Sequence, residues 1–465
     1  MKKREKFKRL FRFLNAFTII GILTAVFAYM WYTNFADNED LLIKTFFRWG
    51  NYALVALYAV IMLLFYRIYG AYEVGYMRLM ESAYTQVLSV LCANAITYLQ
   101  LCLIGRWKFL DNVQPVLWIT MIDLALVVLW AMFTRFAYLK IYPPRKVLLV
   151  YGQYNPKDIM DKMASRQDKY IISEAINIDC GLNAVKDRIE ACGSVLLMDI
   201  PASPRNKLLK YCFRRNIRCY CVPKISDIML RRSEEIHLFD TTLLLFRNAG
   251  LSADQQFVKR FFDVVFSLAL LVLASPVMLL IAVAVKACDG GPVIFTQDRL
   301  TQDGKVFKLY KFRSMYANRK ETEYCLTRQN DTRITPVGKL IRNLHFDELP
   351  QVFNILKGDM SFVGPRPECP ELAEKYRQMI PEFDFRLKMK AGLTGYAQVY
   401  GKYNTTPLDK LKLDMVYIER YSFLLDLKLI LLTVKILFQK ENTEGIKAGQ
   451  TTAAPTENLE KIGKM

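Results

Sequence analysis

Two adjacent carboxylates, Asp347 and Glu348, open a stretch that closes on Pro365-Arg366-Pro367. Between them Val352, Phe353, Ile355 and Leu356 recur at helical spacing up to Gly358. That spacing predicts a short helix with Asp347 at or next to its N-cap and Pro350 in its first turn. The N-terminal end of a helix favours anions, so a carboxylate placed there suits work on phosphate. Neighbours on a helix project about 100° apart, given roughly 3.6 residues per turn. One carboxylate can therefore attack while the other holds a metal ion. An Asp-Glu pair can also do no more than cap its helix, but cations surround this one in sequence: Lys311 and Arg313 upstream, Arg342 five residues before Asp347, and Arg366 between two prolines. Arg366 suits bidentate contact with phosphate, and Lys311 and Arg313 can add charge beside it.

The chain that must position these groups is basic and unevenly apolar. Lys plus Arg exceed Asp plus Glu by 20 among 465 residues, and 53% of residues are hydrophobic. Acidic partners are expected. No nucleic-acid motif accompanies the charge, and basic residues beside long apolar runs fit an anionic membrane leaflet and phosphate substrates better than nucleic acid. The ten cysteines are scattered with no Cys-x-x-Cys, as expected of reduced thiols, and with only two histidines a zinc site is not expected.

Four apolar runs, near Leu14 to Tyr32, Trp49 to Ile68, Thr85 to Ile104 and Pro115 to Thr134, are long enough to span a bilayer. The strongly basic start is read as flanking an anchor and not a cleaved signal peptide. Asp37, Glu39 and Asp40 follow the first run, whereas Lys140, Arg145 and Lys146 follow the fourth, so both ends of this bundle are expected inside. Asp123, within the fourth run, either marks a ligand path or is paired within the bundle. From Arg145 to about Asp240 strand-like and helix-like segments alternate, which predicts a doubly wound parallel sheet. Its first strand-to-helix turn, Tyr151-Gly152-Gln-Tyr-Asn, holds one glycine where a dinucleotide fingerprint needs three. A regulatory or dimer-forming role is the reading preferred for it. Phe261 to Val285 is apolar except for Asp263 and Ser267. Pro276 bends a helix where it stands and Ser275 can satisfy freed backbone groups. The run is thus either a kinked crossing or a helix that enters one leaflet and returns, with Asp263 able to pair with Arg260 one turn away. Phe423 to Phe438, interrupted by Asp426, Lys428 and Lys435, reads as a helix lying at the membrane interface, and the tail after Gln439 as disordered.

From about Lys259 to Lys440 the chain resembles the bacterial sugar transferase family, the monotopic polyprenyl-phosphate phosphoglycosyl transferases. Six markers carry the likeness in order: Lys259-Arg-Phe-Phe-Asp263, Ser275-Pro276, Lys311-Phe-Arg313-Ser-Met315, Asp347-Glu348-Leu-Pro-Gln351, Lys357-Gly-Asp-Met-Ser-Phe-Val-Gly-Pro-Arg366-Pro367, and Gly392-Leu-Thr-Gly-Tyr-Ala-Gln398-Val399. Ala391 stands where the family usually has proline, which touches only local loop rigidity. The resemblance implies three parts: a membrane α-helical bundle of four spans (1–140), a Rossmann-like doubly wound α/β accessory domain (141–240), and, after a linker (241–258), a mainly α catalytic domain (259–440) whose helix 261–285 is re-entrant at Ser275-Pro276, followed by the tail 441–465.

The reaction so implied is transfer of a sugar-1-phosphate from a UDP-sugar to undecaprenyl or another polyprenyl phosphate. It releases UMP and starts exopolysaccharide, capsule or O-antigen assembly. Asp347 is the expected nucleophile, forming an aspartyl-phosphosugar, and Glu348 the expected ligand of a magnesium ion. Lys311, Arg313 and Arg366 are expected on phosphates, with Arg386, Gln398 and Lys402 as weaker candidates for the nucleotide or its phosphates. His345 invites a general-base role, but an already ionised Asp347 needs none. The inner membrane with the catalytic domain on its cytoplasmic face, membrane lipid as a partner and a homodimer are further expectations. Two rivals stay open: a transferase acting by direct attack, and a non-enzymatic membrane sensor or assembly partner with a vestigial catalytic block.

Overall fold

The computed structural model describes residues 2–36, 49–75, 77–110, 113–231, 233–246, 250–316, 333–401 and 405–437. The acidic loop of Asp37, Glu39 and Asp40, the basic Lys402 and the tail 441–465 lie outside the described residues. The chain divides into two compact units. The first is 1–150, 156–196 and 202–220; the second is 151–155, 197–201 and 221–465.

The first unit opens with four long helices: α1 (Lys2–Asn34), α2 (Gly50–Tyr69), α3 (Leu79–Ile104) and α4 (Gln114–Ile141). Each is long and apolar enough to cross a membrane. Their mutual packing buries aromatic residues, with the rings of Phe27 and Tyr58 stacked at 4.2 Å between centroids. Asp123 is fully buried and paired within the bundle: Asn94 Nδ2 donates to its Oδ2 at 3.1 Å and Tyr58 Oη at 3.2 Å. Buried hydrogen-bonding partners are what a carboxylate in an apolar helix requires.

The alternation after Arg145 gives β1 (Arg145–Tyr151), α5 (Lys157–Ala164), β2 (Tyr170–Asn177), α6 (Leu182–Cys192), β3 (Ser194–Met198), α7 (Ala202–Arg215) and β4 (Arg218–Cys221). The strands form one sheet in the order β2-β1-β3-β4. Its central strands run parallel: Ser194 Oγ donates to Lys146 O near their starts and Gly152 N to Met198 O near their ends. Val147 to Val150 and Val195 to Leu197 are buried, the continuous apolar runs of strands covered on both faces.

The second unit continues with α8 (Ile225–Leu230) and an antiparallel hairpin of β5 (Glu234–Leu238) and β6 (Thr241–Leu245). The expected linker 241–258 is therefore corrected. Its first part is a paired strand, and from Ala253 it already belongs to the next helix, whose start Ser252 and Gln255 hold in a capping box. That helix, α9 (Ala253–Asp289), continues through Pro276, so the proline does not end the helix although it can bend it there. The reason is local. Pro276 has no N–H to give the carbonyl of Val272, and Ser275 Oγ donates to that carbonyl at 3.0 Å.

Both ends of α9 pack on the rest of the second unit. Lys259, Asp263 and Ser267 are buried near its start, and Ile281 and Val285 near its end. Between them no residue from 268 to 280 is buried, although a helix lying along a protein surface would bury one side in every turn. The apolar midsection between the two anchored ends is only lightly covered: Leu270 and Met278 are partly buried against the flanking clusters and most of their neighbours are exposed.

The remaining elements are β7 (Ile294–Leu300), β8 (Val306–Phe312), α10 (Pro336–Asn343), α11 (Gln351–Lys357), β9 (Ser361–Val363), α12 (Pro370–Met379), β10 (Gly392–Thr394), α13 (Tyr396–Tyr400), α14 (Pro407–Glu419) and α15 (Phe423–Leu437). β7 and β8 form an antiparallel hairpin from Ile294 opposite Phe312 to Leu300 opposite Val306, and β9 pairs with β10 in parallel. A core of Ile355, Met360, Val363, Tyr417 and Leu429, joined by Phe266 and Leu270, binds α11, β9, α14 and α15 to the first half of α9. A second cluster of Ile281, Val285, Phe312 and Ile341 binds its other half.

Candidate active site

The two carboxylates do not sit on α11. They occupy a 3-10 turn, Phe346–Glu348, and Pro350 is the residue that precedes the helix, which corrects the expected N-cap position of Asp347. The turn is built from both sides. Upstream, Thr335 Oγ1 accepts from Gly338 N at 2.8 Å and caps α10, and His345 then takes the left-handed conformation (φ +56°) that reverses the chain. On either flank of the carboxylates, Phe346 and Leu349 pack into the cluster of Ile281, Val285, Phe312 and Ile341. With these neighbours anchored, Asp347 and Glu348 are presented to Lys311.

β8 brings that lysine. Phe307, Leu309 and Phe312 of β8 are buried. The fully buried Asn354 of α11 fixes the strand to the helix by acting as a strand neighbour: its Oδ1 accepts from Tyr310 N at 3.0 Å and its Nδ2 donates to Lys308 O at 2.7 Å. Lys311 Nζ then lies 2.8 Å from Glu348 Oε1 and 3.9 Å from Asp347 Oδ2.

Arg366 arrives on a loop whose approach is set by close main-chain contacts. Gly364 N donates to Thr394 O at 2.8 Å and Gly392 N to Pro365 O at 2.9 Å. A Cβ on Gly392 would stand 2.0 Å from Gly364 N, one on Gly395 2.0 Å from Gly364 O, and one on Gly364 2.3 Å from Lys390 O. Only glycine permits this approach, and it leaves Arg366 Nη2 at 3.1 Å from the same Glu348 Oε1 that Lys311 holds.

Two neighbouring carboxylates thus acquire opposite electrostatics. Burial would raise Glu348, but Lys311 and Arg366 outweigh it and hold the group well below the usual carboxylate range. Asp347 is raised, by burial first and then by the charge of Glu348, with Lys311 offsetting only part. Among the described residues the Asp347 carboxylate accepts no hydrogen bond, and its side chain keeps 14% of its surface exposed. An anion so placed is weakly solvated and open to an electrophile.

The other expected phosphate ligands fare differently. Arg313 is paired with Asp289 at the end of α9 and packs on Gly291, so it fastens the β7–β8 hairpin instead of facing the carboxylate pair. Arg386 is buried among carboxylates: Nη2 lies 2.7 Å from Asp414 Oδ2 and Nη1 3.3 Å from Glu368 Oε1. Its remaining donation, Nη2 to Arg366 O at 2.8 Å, makes it a support for Arg366. Gln398 stands beside Gly395, with both amide atoms buried and without a hydrogen-bond partner among the described residues. His345 Nδ1 is buried and unpartnered in the same sense.

Charges that the apolar pattern obscured hold the frame. Lys259 Nζ donates to Asp426 Oδ2 at 2.7 Å and to Val363 O at 2.9 Å, and Tyr417 Oη donates to Asp426 Oδ1 at 2.7 Å. Asp263 does not pair with Arg260, which is a correction. It accepts from Ser361 Oγ at 3.0 Å and Phe362 N at 2.9 Å, while Arg260 donates to Ile355 O and Leu356 O, the open carbonyls at the end of α11. The signal available in the sequence was Asp426, a carboxylate inside an otherwise apolar run.

A magnesium ion can be tested against these donors. Both cations of Glu348 use Oε1, and no hydrogen bond reaches Oε2 among the described residues. No group of three or more His, Cys, Asp or Glu side chains able to hold a metal occurs among the described residues. The set fits magnesium bound by one or two carboxylates and completed by phosphate oxygens and water, and does not fit an all-protein cage.

Residues 254–440 match the family model described as bacterial sugar transferase. The chain is 42% identical over 213 residues to a UDP-glucose:undecaprenyl-phosphate glucose-1-phosphate transferase of Klebsiella pneumoniae, covering 45% of this chain and 45% of that protein. It is 35% identical over 237 residues to an undecaprenyl-phosphate galactose phosphotransferase of Salmonella typhimurium, covering 47% and 49%. Against a UDP-glucose:undecaprenyl-phosphate glucose-1-phosphate transferase of Caulobacter vibrioides it is 38% identical over 189 residues, 40% of this chain and 71% of that protein. The matched stretch thus spans about half the length of the Klebsiella and Salmonella proteins.

Proposed function

Because the chain belongs to the bacterial sugar transferase family, we propose that it moves a sugar-1-phosphate from a UDP-sugar to a polyprenyl phosphate such as undecaprenyl phosphate, with Asp347 as the nucleophile. The observation that carries this reading is the division of labour at the carboxylate pair: two cations converge on Glu348 Oε1, and Asp347 is left half-buried, raised and without a hydrogen bond among the described residues.

An Asp347 oxygen attacks the phosphorus that bears the sugar, and the bond from that phosphorus to the bridging oxygen breaks. UMP leaves with the electron pair. The resulting aspartyl-phosphosugar is attacked at the same phosphorus by an oxygen of the polyprenyl phosphate, which frees the Asp347 carboxylate and yields a polyprenyl diphosphate sugar. Both attacking groups are already anions, so neither step needs His345 to take up a proton as a base. Arg366 and Lys311 are arranged to balance charge on the phosphate oxygens as the bond changes hands. A magnesium ion, held by Glu348 and the diphosphate, would supply charge neutralisation in both steps.

Membrane residence is part of the proposal. The four apolar helices act as a bundle of spans. α9 acts as a re-entrant element, for which its anchored ends and lightly covered midsection are the support. UDP-sugars are made in the cytoplasm, so the carboxylate pair would work at the cytoplasmic face of the inner membrane, with a homodimer as the assembly. Intact Asp347, Glu348 and Arg366 in mutual contact speak against a vestigial block.

The test is to incubate the protein with labelled UDP-sugar and no lipid acceptor, then to analyse the peptide holding Asp347 by mass. A phosphosugar adduct is expected on Asp347 and absent from Asp347→Asn. UMP release in full lipid-containing reactions with no adduct ever recovered would mean direct attack instead.

A further inference from the structure

The helical bundle of the first unit holds a carboxyl group that the chemistry at Asp347 does not use. Asp123 lies within α4 and is fully buried. Its neighbours form a chain of hydrogen bonds whose directions follow one from another. Thr120 Oγ1 lies 2.7 Å from Val116 O, a carbonyl that can only accept, so the one hydroxyl proton goes there. The Thr120 oxygen must then accept from Asn94 at 3.0 Å, which makes the atom facing it Nδ2 and fixes how the amide is turned. Asn94 Nδ2 directs its second hydrogen to Asp123 Oδ2 at 3.1 Å, and Asn94 Oδ1 faces Tyr58 Oη at 2.9 Å. An amide oxygen has no proton, so Tyr58 donates to it. Tyr58 Oη also stands 3.2 Å from Asp123 Oδ2, with its only proton already engaged. An ionised Asp123 would set two bare oxygens against each other, whereas a protonated one donates to Tyr58 Oη and closes the chain.

Charge leads to the same place by another route. Among the described residues no ion pair reaches Asp123, and its Oδ1 is buried without a hydrogen bond. The charged residues of α1 stop at Arg12, fifteen residues before the Phe27 ring that stacks on Tyr58, and α2 has none before Arg67, nine residues beyond Tyr58. α3 has Glu81 alone, thirteen residues before Asn94. On α4 itself Arg135 stands twelve residues beyond Asp123, donates to Met77 O and pairs with Asp168. At a rise of roughly 1.5 Å per residue these separations are about 14 Å or more along the helices. A carboxylate so far from any cation, with one oxygen bare, is costly to bury.

The titratable groups that face Asp123 are two phenols of α2. Tyr58 is the partner just described, and Tyr66, two turns further along, is buried within electrostatic reach with its hydroxyl unpaired among the described residues. α3 presents Asn94 and α1 the Phe27 ring beside Tyr58, neither of which titrates. A phenol releases a proton far less readily than a carboxyl group, so the proton on Asp123 comes from water.

We propose that Asp123 is a proton-binding site inside the helical bundle: its carboxyl group carries a proton on Oδ2, donates it to Tyr58 Oη, and so joins α4 to α2 and α3. Uptake adds one proton from water to the carboxylate, and release returns it. Release turns the donated bond into two oxygens in opposition, so the joint between the helices holds only while the proton is bound.

The experiment is infrared spectroscopy of the full chain in detergent at about pH 7, where an exposed aspartate is ionised. Aspartate labelled with heavy carbon at its side-chain carboxyl marks the aspartate bands. Wild-type protein should show the carbonyl stretch of a protonated aspartic acid that is lost in Asp123→Asn. Tyr58→Phe leaves Asp123 in place but removes the oxygen that takes its proton, so the same band should persist and shift. Thermal unfolding shows which variants fold, and should Asp123→Asn not fold, the labelled Tyr58→Phe spectrum decides alone. An acid band that is unchanged in folded Asp123→Asn, or that does not move in folded Tyr58→Phe, overturns the proposal. So do carboxylate bands that are lost in Asp123→Asn and move when sodium replaces potassium, since they would mean an ionised Asp123 holding a metal cation. The spectrum reads a bond within the bundle, and the Asp347 adduct is tested separately.

Discussion

At the scale of single residues, two adjacent carboxylates have different roles because cations hydrogen-bond to Glu348 whereas Lys311 reaches Asp347 only at 3.9 Å. Arg366 carries half of that asymmetry. Arg366→Lys keeps the charge and removes the fork geometry, so kcat/KM for UDP-sugar should fall about 10- to 100-fold, the equivalent of one lost charge-assisted hydrogen bond. Steady-state kinetics of UMP release checks this. A second residue-scale prediction concerns stability. Burial would raise Glu368, but Lys410 and Arg386 bring it down to about 2. A folded value below the unfolded one contributes stability that is present above the unfolded value, near 4.5, and is lost as pH falls toward about 2. Wild-type protein should therefore melt above Glu368→Gln at pH 7, and the gap should close between about pH 4.5 and pH 2, as read by thermal unfolding across pH.

Among the elements, α11 and β8 form the working pair, and Asn354 is their joint. Asn354→Ala leaves Tyr310 N and Lys308 O without their partner and should cost about 2–5 kcal/mol, seen as a lower Tm. Lys311 rides on the same strand, so transfer should fall in the folded fraction as well. Element identities were largely legible in the sequence. The alternation after Arg145 and the four apolar runs gave periodic signals that tertiary contacts did not override. The exact seat of Asp347 was not legible, because a 3-10 turn ahead of a helix and the first turn of that helix share composition, and what separates them is the left-handed backbone of His345. Arg386 shows the same limit from another side. Its motif neighbours pointed to phosphate, whereas its partners Asp414 and Glu368 lie 28 and 18 residues away in sequence and meet it only in the folded chain. The loop after β1 adds a related case: Gln153 N and Tyr154 N both donate to Asp199 Oδ2, so the amides that would face a nucleotide phosphate already hold a carboxylate of this chain.

For the whole molecule, every described contact of the carboxylate pair comes from α9 or later. A chain starting at Gly250, expressed in membranes, is expected to form the Asp347 phosphosugar adduct, checked by the same peptide mass. Absence of the adduct from a folded, membrane-bound fragment would mean that the bundle or the sheet supplies something to the chemistry. The overall excess of 20 positive charges was readable at once, but its distribution was not. Part of it closes buried pairs such as Lys259 with Asp426.

The three interlocked glycines give the site an unusual kind of permanence. Since Gly364, Gly392 and Gly395 meet through peptide groups, these three positions offer no side chain that could re-aim the loop bearing Arg366, and Arg386 and Arg299 reach it only through the carbonyls of Arg366 and Pro367. Any side chain added at this clasp would unseat the arginine before it altered anything else.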